Sequence, residues 1–149
     1  MTYIIGIILV IAVMAFIILF ALGQKDIKYV QKSGGLFLKY KLLIDRILSN
    51  EKLKLIKNHP NNIVIGYSFV GGGFVRFVIT EMSRSLMIRY TTKDNINGEQ
   101  SLGWKFSETM DQDDMFDKIS RDMFVRVLIQ DGVSHNEAVK IYLENTQST

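Results

Sequence analysis

Residues 63–81 read Ile63-Val64-Ile65-Gly66-Tyr67-Ser68-Phe69-Val70-Gly71-Gly72-Gly73-Phe74-Val75-Arg76-Phe77-Val78-Ile79-Thr80-Glu81. Side chains alternate faces along a strand, so Ile63, Ile65, Tyr67 and Phe69 share one face and Val64, Gly66, Ser68 and Val70 the other. Three consecutive glycines then supply a flexible reversal, and Phe74 to Glu81 returns as a second strand rich in valine, phenylalanine and isoleucine. The pattern continues downstream. Leu86, Ile88 and Tyr90 alternate with Met87, Arg89 and Thr91. After the turn signal Asp94-Asn95-Ile96-Asn97-Gly98, Leu102, Trp104 and Phe106 alternate with Gly103, Lys105 and Ser107. Four strands joined by short reversals predict an antiparallel meander, because parallel neighbours need crossover segments that this stretch lacks.

Outward from the strands the period changes. A helix is expected from about Asp111 to Gln130, with Phe116, Ile119, Met123 and Val127, joined by Met115 and Leu128, as its apolar stripe. Asp131-Gly132 suits a glycine C-cap, and Ser134 with Glu137 has capping-box spacing for a short helix through Leu143. On the other side, Leu36, Tyr40, Leu43, Ile44, Ile47 and Leu48 recur at helical spacing within 36–57, with Ser49-Asn50 a candidate break. His59-Pro60-Asn61-Asn62 ends that stretch, since the residue before a proline disfavours helix. The expectation is an α+β two-layer domain over residues 36–145: a helix, a four-stranded antiparallel meander and two C-terminal helices, with 146–149 as a frayed tail. In element order alone this resembles secretion-chaperone-like folds, in which helices flank a curved antiparallel sheet. No sequence motif carries the comparison.

The segment Tyr3 to Leu22 contains no charged or strongly polar side chain. A helix rises about 1.5 Å per residue, so this run matches the hydrocarbon thickness of a bilayer and predicts a single transmembrane helix. Residues 1–23 are therefore read as an anchor and 24–35 as a juxtamembrane linker. Ala21-Leu22-Gly23 before Gln24 also fits a small-x-small cleavage site, which would leave a secreted or periplasmic domain. Against that alternative, the apolar run exceeds a signal h-region and Met1-Thr2-Tyr3 offers no basic n-region. Nothing before the segment is basic, whereas Lys25, Lys28, Lys32, Lys39 and Lys41 follow it closely. The positive-inside rule then puts the N-terminus outside and the C-terminal domain at the cytoplasmic face of a bacterial inner membrane. Those five lysines are the candidate membrane-surface residues, because cations beside an anionic leaflet each gain about 1 kcal/mol.

The whole chain has 149 residues, no cysteine and a formal net charge of +3. Residues 25–57 hold nine Lys or Arg against three Asp or Glu, and residues 58–149 hold nine against twelve. The acidic balance of the distal part argues against nucleic acid as a partner. Individual motifs carry little chemistry. Gly66-Tyr67-Ser68-Phe69-Val70 lacks the last glycine of a nucleophile elbow and lies in a strand. Gly71-Gly72-Gly73 joins strand to strand, whereas phosphate loops feed a helix N-terminus. Asp111, Asp113, Asp114 and Asp117 complement a helix dipole and lack calcium-loop spacing. His59 and His135 have no partner at zinc spacing, so no metal, cofactor or catalytic residue is assigned.

The functional expectation is a non-enzymatic, membrane-anchored protein-interaction module. Its candidate partner-binding residues are Arg76, Met87, Arg89 and Lys105 on the outer face of the sheet, with the exposed side of the 111–130 helix beside them. The partners expected are the lipid bilayer and a protein. The rival is an enzyme whose site assembles from dispersed residues such as Asp113, Asp117, Arg89 and His135.

Overall fold

A computed structural model describes residues 34–82, 84–96 and 98–147. The anchor at 1–23, most of the linker, and Lys25, Lys28 and Lys32 lie outside the described residues. No helix among the described residues is long and apolar enough to cross a membrane. The elements run α1 Leu36–Lys39, α2 Lys41–Leu48, β1 Lys54–His59, β2 Asn62–Ser68, β3 Phe74–Met82, β4 Ser85–Asp94, β5 Gly98–Ser107, α3 Gln112–Gln130 and α4 His135–Gln147. This is an α+β architecture with one antiparallel sheet ordered β1-β2-β3-β4-β5.

The sheet has five strands where the sequence pattern predicts four. Residues 54–57, expected at the end of the first helix, belong to β1, which pairs antiparallel with β2. Pro60-Asn61 is therefore the two-residue connection of a hairpin whose flanking residues His59 and Asn62 pair. Every residue of β1 is exposed. A strand with neither face buried leaves no alternation to read, so local pattern loses to the pairing that β2 offers its neighbour. A register shift between Leu55 and Lys57 and the lysines of β1 blunt what is otherwise a free sheet edge.

The helix before it is also broken earlier than Ser49-Asn50, at Tyr40 (φ −115°, ψ 35°). The break would strand the Leu43 amide and the Lys39 carbonyl. The Gln112 side chain takes both: Leu43 N–H donates to Gln112 Oε1 at 3.0 Å and Gln112 Nε2 donates to the Lys39 carbonyl at 3.0 Å. One amide thus replaces a missing helical bond and fastens the start of α3 onto α1 and α2.

The inner face of the sheet follows from register. Ile63, Ile79, Ile88 and Trp104 stand opposite one another across four strands, and Ile65, Phe77, Tyr90 and Leu102 form the next row. Against them pack Leu36, Tyr40, Leu43, Ile44 and Ile47 from α1 and α2, and Met115 and Ile119 from α3. Asp111 caps α3, its Oδ1 accepting from the Asp113 amide at 2.8 Å. The Trp104 indole donates to Asp122 Oδ2 at 2.9 Å, tying β5 to α3. Beyond that point α3 turns from the sheet to α4, where Phe124 and Tyr142 meet ring to ring at 5.7 Å and Ala138 is buried. The predicted stripe fails there: Val127 is exposed and Val125 is buried instead. Gly132 (φ 89°) ends the helix as expected, and the Ser134 hydroxyl accepts from the Glu137 amide at 3.4 Å. The following helix runs on to Gln147, past the expected Leu143.

Candidate functional site

Residues directly opposite in an antiparallel pair share a face, so register also defines the outer side of the sheet. Its rows are Lys57, Val64, Val78, Arg89 and Gly103, then His59, Asn62, Thr80, Met87 and Lys105, then Lys54, Gly66, Arg76, Thr91 and Ser101. A last row holds Ser68, Phe74, Lys93 and Glu99. Six cations (Lys54, Lys57, Arg76, Arg89, Lys93 and Lys105) meet a single acid, Glu99, across these rows. The side chains of all six are exposed. A chain that is acidic over 58–149 thus turns a basic surface outward, because alternation sends the strand cations to one side while much of the acid falls on α3.

Between the rows lies a shallow hollow of about 450 Å³ that Val78, Thr80, Met82, Met87, Arg89 and Lys105 line. Gly103 sits opposite Arg89, and a Cβ placed there would meet nothing within 4 Å, so the hollow stays open at β5. Met82 and Met87 remain 53% and 38% exposed. They put unbranched, adaptable apolar surface among the charges.

Of the residues singled out from sequence, Met87, Arg89 and Lys105 come together around this hollow. Arg76 lies on the same face one row away, its guanidinium 4.9 Å from the Phe74 ring centroid. Lys54 and Lys57 were beyond reach because they were assigned to a helix. Lys93 was legible in principle, since it continues the Met87, Arg89, Thr91 alternation by one step. Lys41 is exposed and pairs with Asp45. Lys39 turns into the domain, pairing with the buried Glu81 and reaching Glu108 at 3.3 Å. Compared with known proteins, the chain matches no family model, no curated protein and no solved structure.

Electrostatics elsewhere in the domain is largely paired. Burial works against the Lys39 charge, but its bonds to Glu81 and Glu108 and the nearby Tyr40 more than offset this, raising its pKa. Burial, with help from the Glu81 charge, pushes the Tyr40 hydroxyl up to about 12. Asp122 is half-buried, which would raise its pKa, yet the Trp104 indole, Lys118 and Arg121 hold it below the usual carboxylate range. Asp113 and Asp117 both face Arg46, at 2.7 and 3.9 Å. Arg89 stands on the other side of the sheet from that pair, so the four residues named for a dispersed catalytic site are not brought together. Among the described residues, no three His, Cys, Asp or Glu side chains are grouped to hold a metal ion. Ser68 sits exposed at the end of β2, and His59 Nδ1 is 2.8 Å from Asn61 Oδ1.

Proposed function

We propose that this chain is a non-enzymatic interaction module, held by residues 3–22 at the cytoplasmic face of a bacterial inner membrane, whose basic sheet face docks an acidic segment of a partner protein. The observation that carries the reading is the sheet face away from the described helices, where Arg89 and Lys105 line an apolar hollow and Lys54, Lys57, Arg76 and Lys93 share the face with one acid, Glu99. Like charges gathered on one surface repel, and an anionic partner relieves that repulsion while steering the encounter. The hollow favours a protein over a flat leaflet or a nucleic acid backbone, because Met82, Met87 and Val78 offer an apolar side chain a seat. The apolar run and the lysines after it supply the tether and its orientation.

The test is crosslinking in native membranes followed by purification of the full chain, comparing wild type with Arg76→Glu/Arg89→Glu/Lys105→Glu. A stoichiometric acidic protein, recovered with wild type, released by salt and reduced at least about tenfold in the triple variant, is the expected result. Recovery of lipid or nucleic acid alone, or equal recovery with the triple variant, would overturn the assignment. A mature chain beginning at Gln24, or one extracted by carbonate, would remove the anchor. Digestion of the C-terminal domain from outside spheroplasts would reverse the orientation.

A further inference from the structure

A sheet that does not close on itself ends in two edges, and the two edges of this one differ. At β1 the register shift interrupts the edge, and Lys54 and Lys57 stand there with no acid on the strand. A second β1 laid against it would set cations against cations. β5 has none of these devices. It pairs with β4 along its whole length, Gly98 to Ser107, without a register shift, and it contains no proline. It also stands last in the sheet order, so among the described residues no strand pairs with its other side. A long unbroken edge presents a row of backbone donors and acceptors to any strand that fits.

The side chains of β5 define which strand fits. Glu99, Ser101, Gly103, Lys105 and Ser107 lie on its outer face. Residues directly opposite share a face, so a two-fold pairing of β5 with its own copy sets odd-numbered residues opposite odd-numbered ones. Centring the axis on Leu102 places Glu99 opposite Lys105 of the second copy, twice by symmetry, and Ser101 opposite Gly103 of the second copy. The neighbouring registers lose both ion pairs. Centring on Ser101 puts Glu99 against the glycine, and centring on Gly103 puts it against Ser107. Opposite charges directly across a strand pair attract, and like charges repel. The glycine also leaves room at the seam, since a Cβ there would meet nothing within 4 Å. On the inner face the same register brings the two Leu102 side chains together. Beside Leu102, across a small hollow of about 70 Å³, is Val127, which is 55% exposed on α3.

We infer that two copies of this chain join β5 to β5 in the register centred on Leu102, forming one continuous sheet with the helices of both copies on the same side. The second copy covers the apolar surface at Leu102 and Val127, and the two basic faces adjoin on the other side. The two-fold axis stands perpendicular to the sheet, so both α1 helices, which follow the apolar run, lie on one side of the dimer. This pairing goes beyond the docking reading and needs neither the tether nor an acidic partner.

The experiment uses the full chain in detergent micelles. The chain has no cysteine, so introduced ones report alone. A Ser101→Cys chain and a Gly103→Cys chain, carrying tags of different size, are mixed and oxidised. Opposite residues lie about 4.5–5.5 Å apart and diagonal ones about 7–8 Å, so the mixed disulfide should form at least about tenfold faster than either homodimer disulfide. Sedimentation then reads the charges: Lys105→Glu should weaken dimerisation at least about fivefold, and Glu99→Lys/Lys105→Glu should return it to within about threefold of wild type. The crosslink is read without any partner protein, so its result stands apart from the docking test. A monomeric wild-type chain, faster closure of either homodimer disulfide, species that continue past the dimer, or a double variant no tighter than Lys105→Glu would each overturn the inference. So would native membranes in which the Ser101→Cys chain joins a different protein in place of another copy.

Discussion

Replacing Lys39 by methionine isolates the ion cluster that joins α1 to the sheet. The Lys39 ammonium pairs with Glu81, whose side chain is 4% exposed, and reaches Glu108 at 3.3 Å. Methionine keeps the stem and removes the charge, leaving a buried carboxylate beside a second one. Removing one partner of a fully buried pair costs about 3–5 kcal/mol. The Lys39 side chain is itself 18% exposed, so solvent relieves part of that penalty and about 2–4 kcal/mol is expected. Replacing both partners, as in Lys39→Met/Glu81→Leu, strands no buried charge on Glu81 and should recover about half or more of the loss. Urea unfolding followed by fluorescence reads this directly, because Trp104 is the single tryptophan and is buried against α3. The pH dependence has a definite sign. A lysine pKa raised on folding adds stability that is full below its ordinary value of 10.5 and is lost as pH climbs through the higher folded value. The wild type should lose this contribution in strong alkali, and the Lys39→Met chain should lack it. A single variant within about 0.5 kcal/mol of wild type, or a double variant as unstable as the sum of its parts, would refute the cluster's role. The first outcome would also return Lys39 to the membrane-surface set in which the sequence placed it.

Asp122→Asn tests a second acid, half-buried on α3. Its pKa lies below the ordinary 3.8, so its stabilisation is present above that value and lost as pH falls through the folded one. Unfolding measured from pH 2 to 6 should show a shallower acid limb in the variant, and an unchanged slope would refute the assignment. Gly66→Ala and Gly103→Ala form a contrasting pair on the outer face. A Cβ at Gly66 would meet the Val75 carbonyl oxygen at 2.2 Å, whereas one at Gly103 meets nothing within 4 Å. The first should cost at least about 2 kcal/mol through forced backbone movement and the second under about 0.5 kcal/mol, read by the same urea unfolding. Equal effects would contradict the sheet geometry.

The sequence was most legible where one face of an element is buried. In β2 to β5 an inward row of isoleucine, phenylalanine, leucine and tryptophan leaves a period-two signal that needs no knowledge of neighbours. Asp111 and Gly132 were legible for a related reason, since helix ends are satisfied locally. The basic face was half legible. Alternation alone put Arg76, Met87, Arg89 and Lys105 outward, but finding that Lys54 and Lys57 join them required knowing that β1 exists. The gap of about 390 Å³ between α3 and the sheet was not legible at all, because Tyr67, Tyr90, Phe116 and Met123 read as ordinary core residues until the packing leaves space between them.

By itself, then, the order of residues determined the helix and strand periods, the meander and the α+β class, since these depend on hydrophobic spacing within a dozen neighbours. It also determined that an apolar run of membrane length stands at the N-terminal end of the chain. Tertiary structure alone decided the fate of 54–57, where pairing with β2 outweighs a weak local preference. It decided too that Tyr40 breaks a helix, because the Gln112 amide comes from about seventy residues away to satisfy the groups the break exposes. Charge placement belongs to the same class: the distal sequence sums to an acid excess, yet strand register puts its four strand cations, Arg76, Arg89, Lys93 and Lys105, on one side. Electrostatic surfaces and clefts are products of what is brought together, and contacts distant along the chain leave no periodic trace in it.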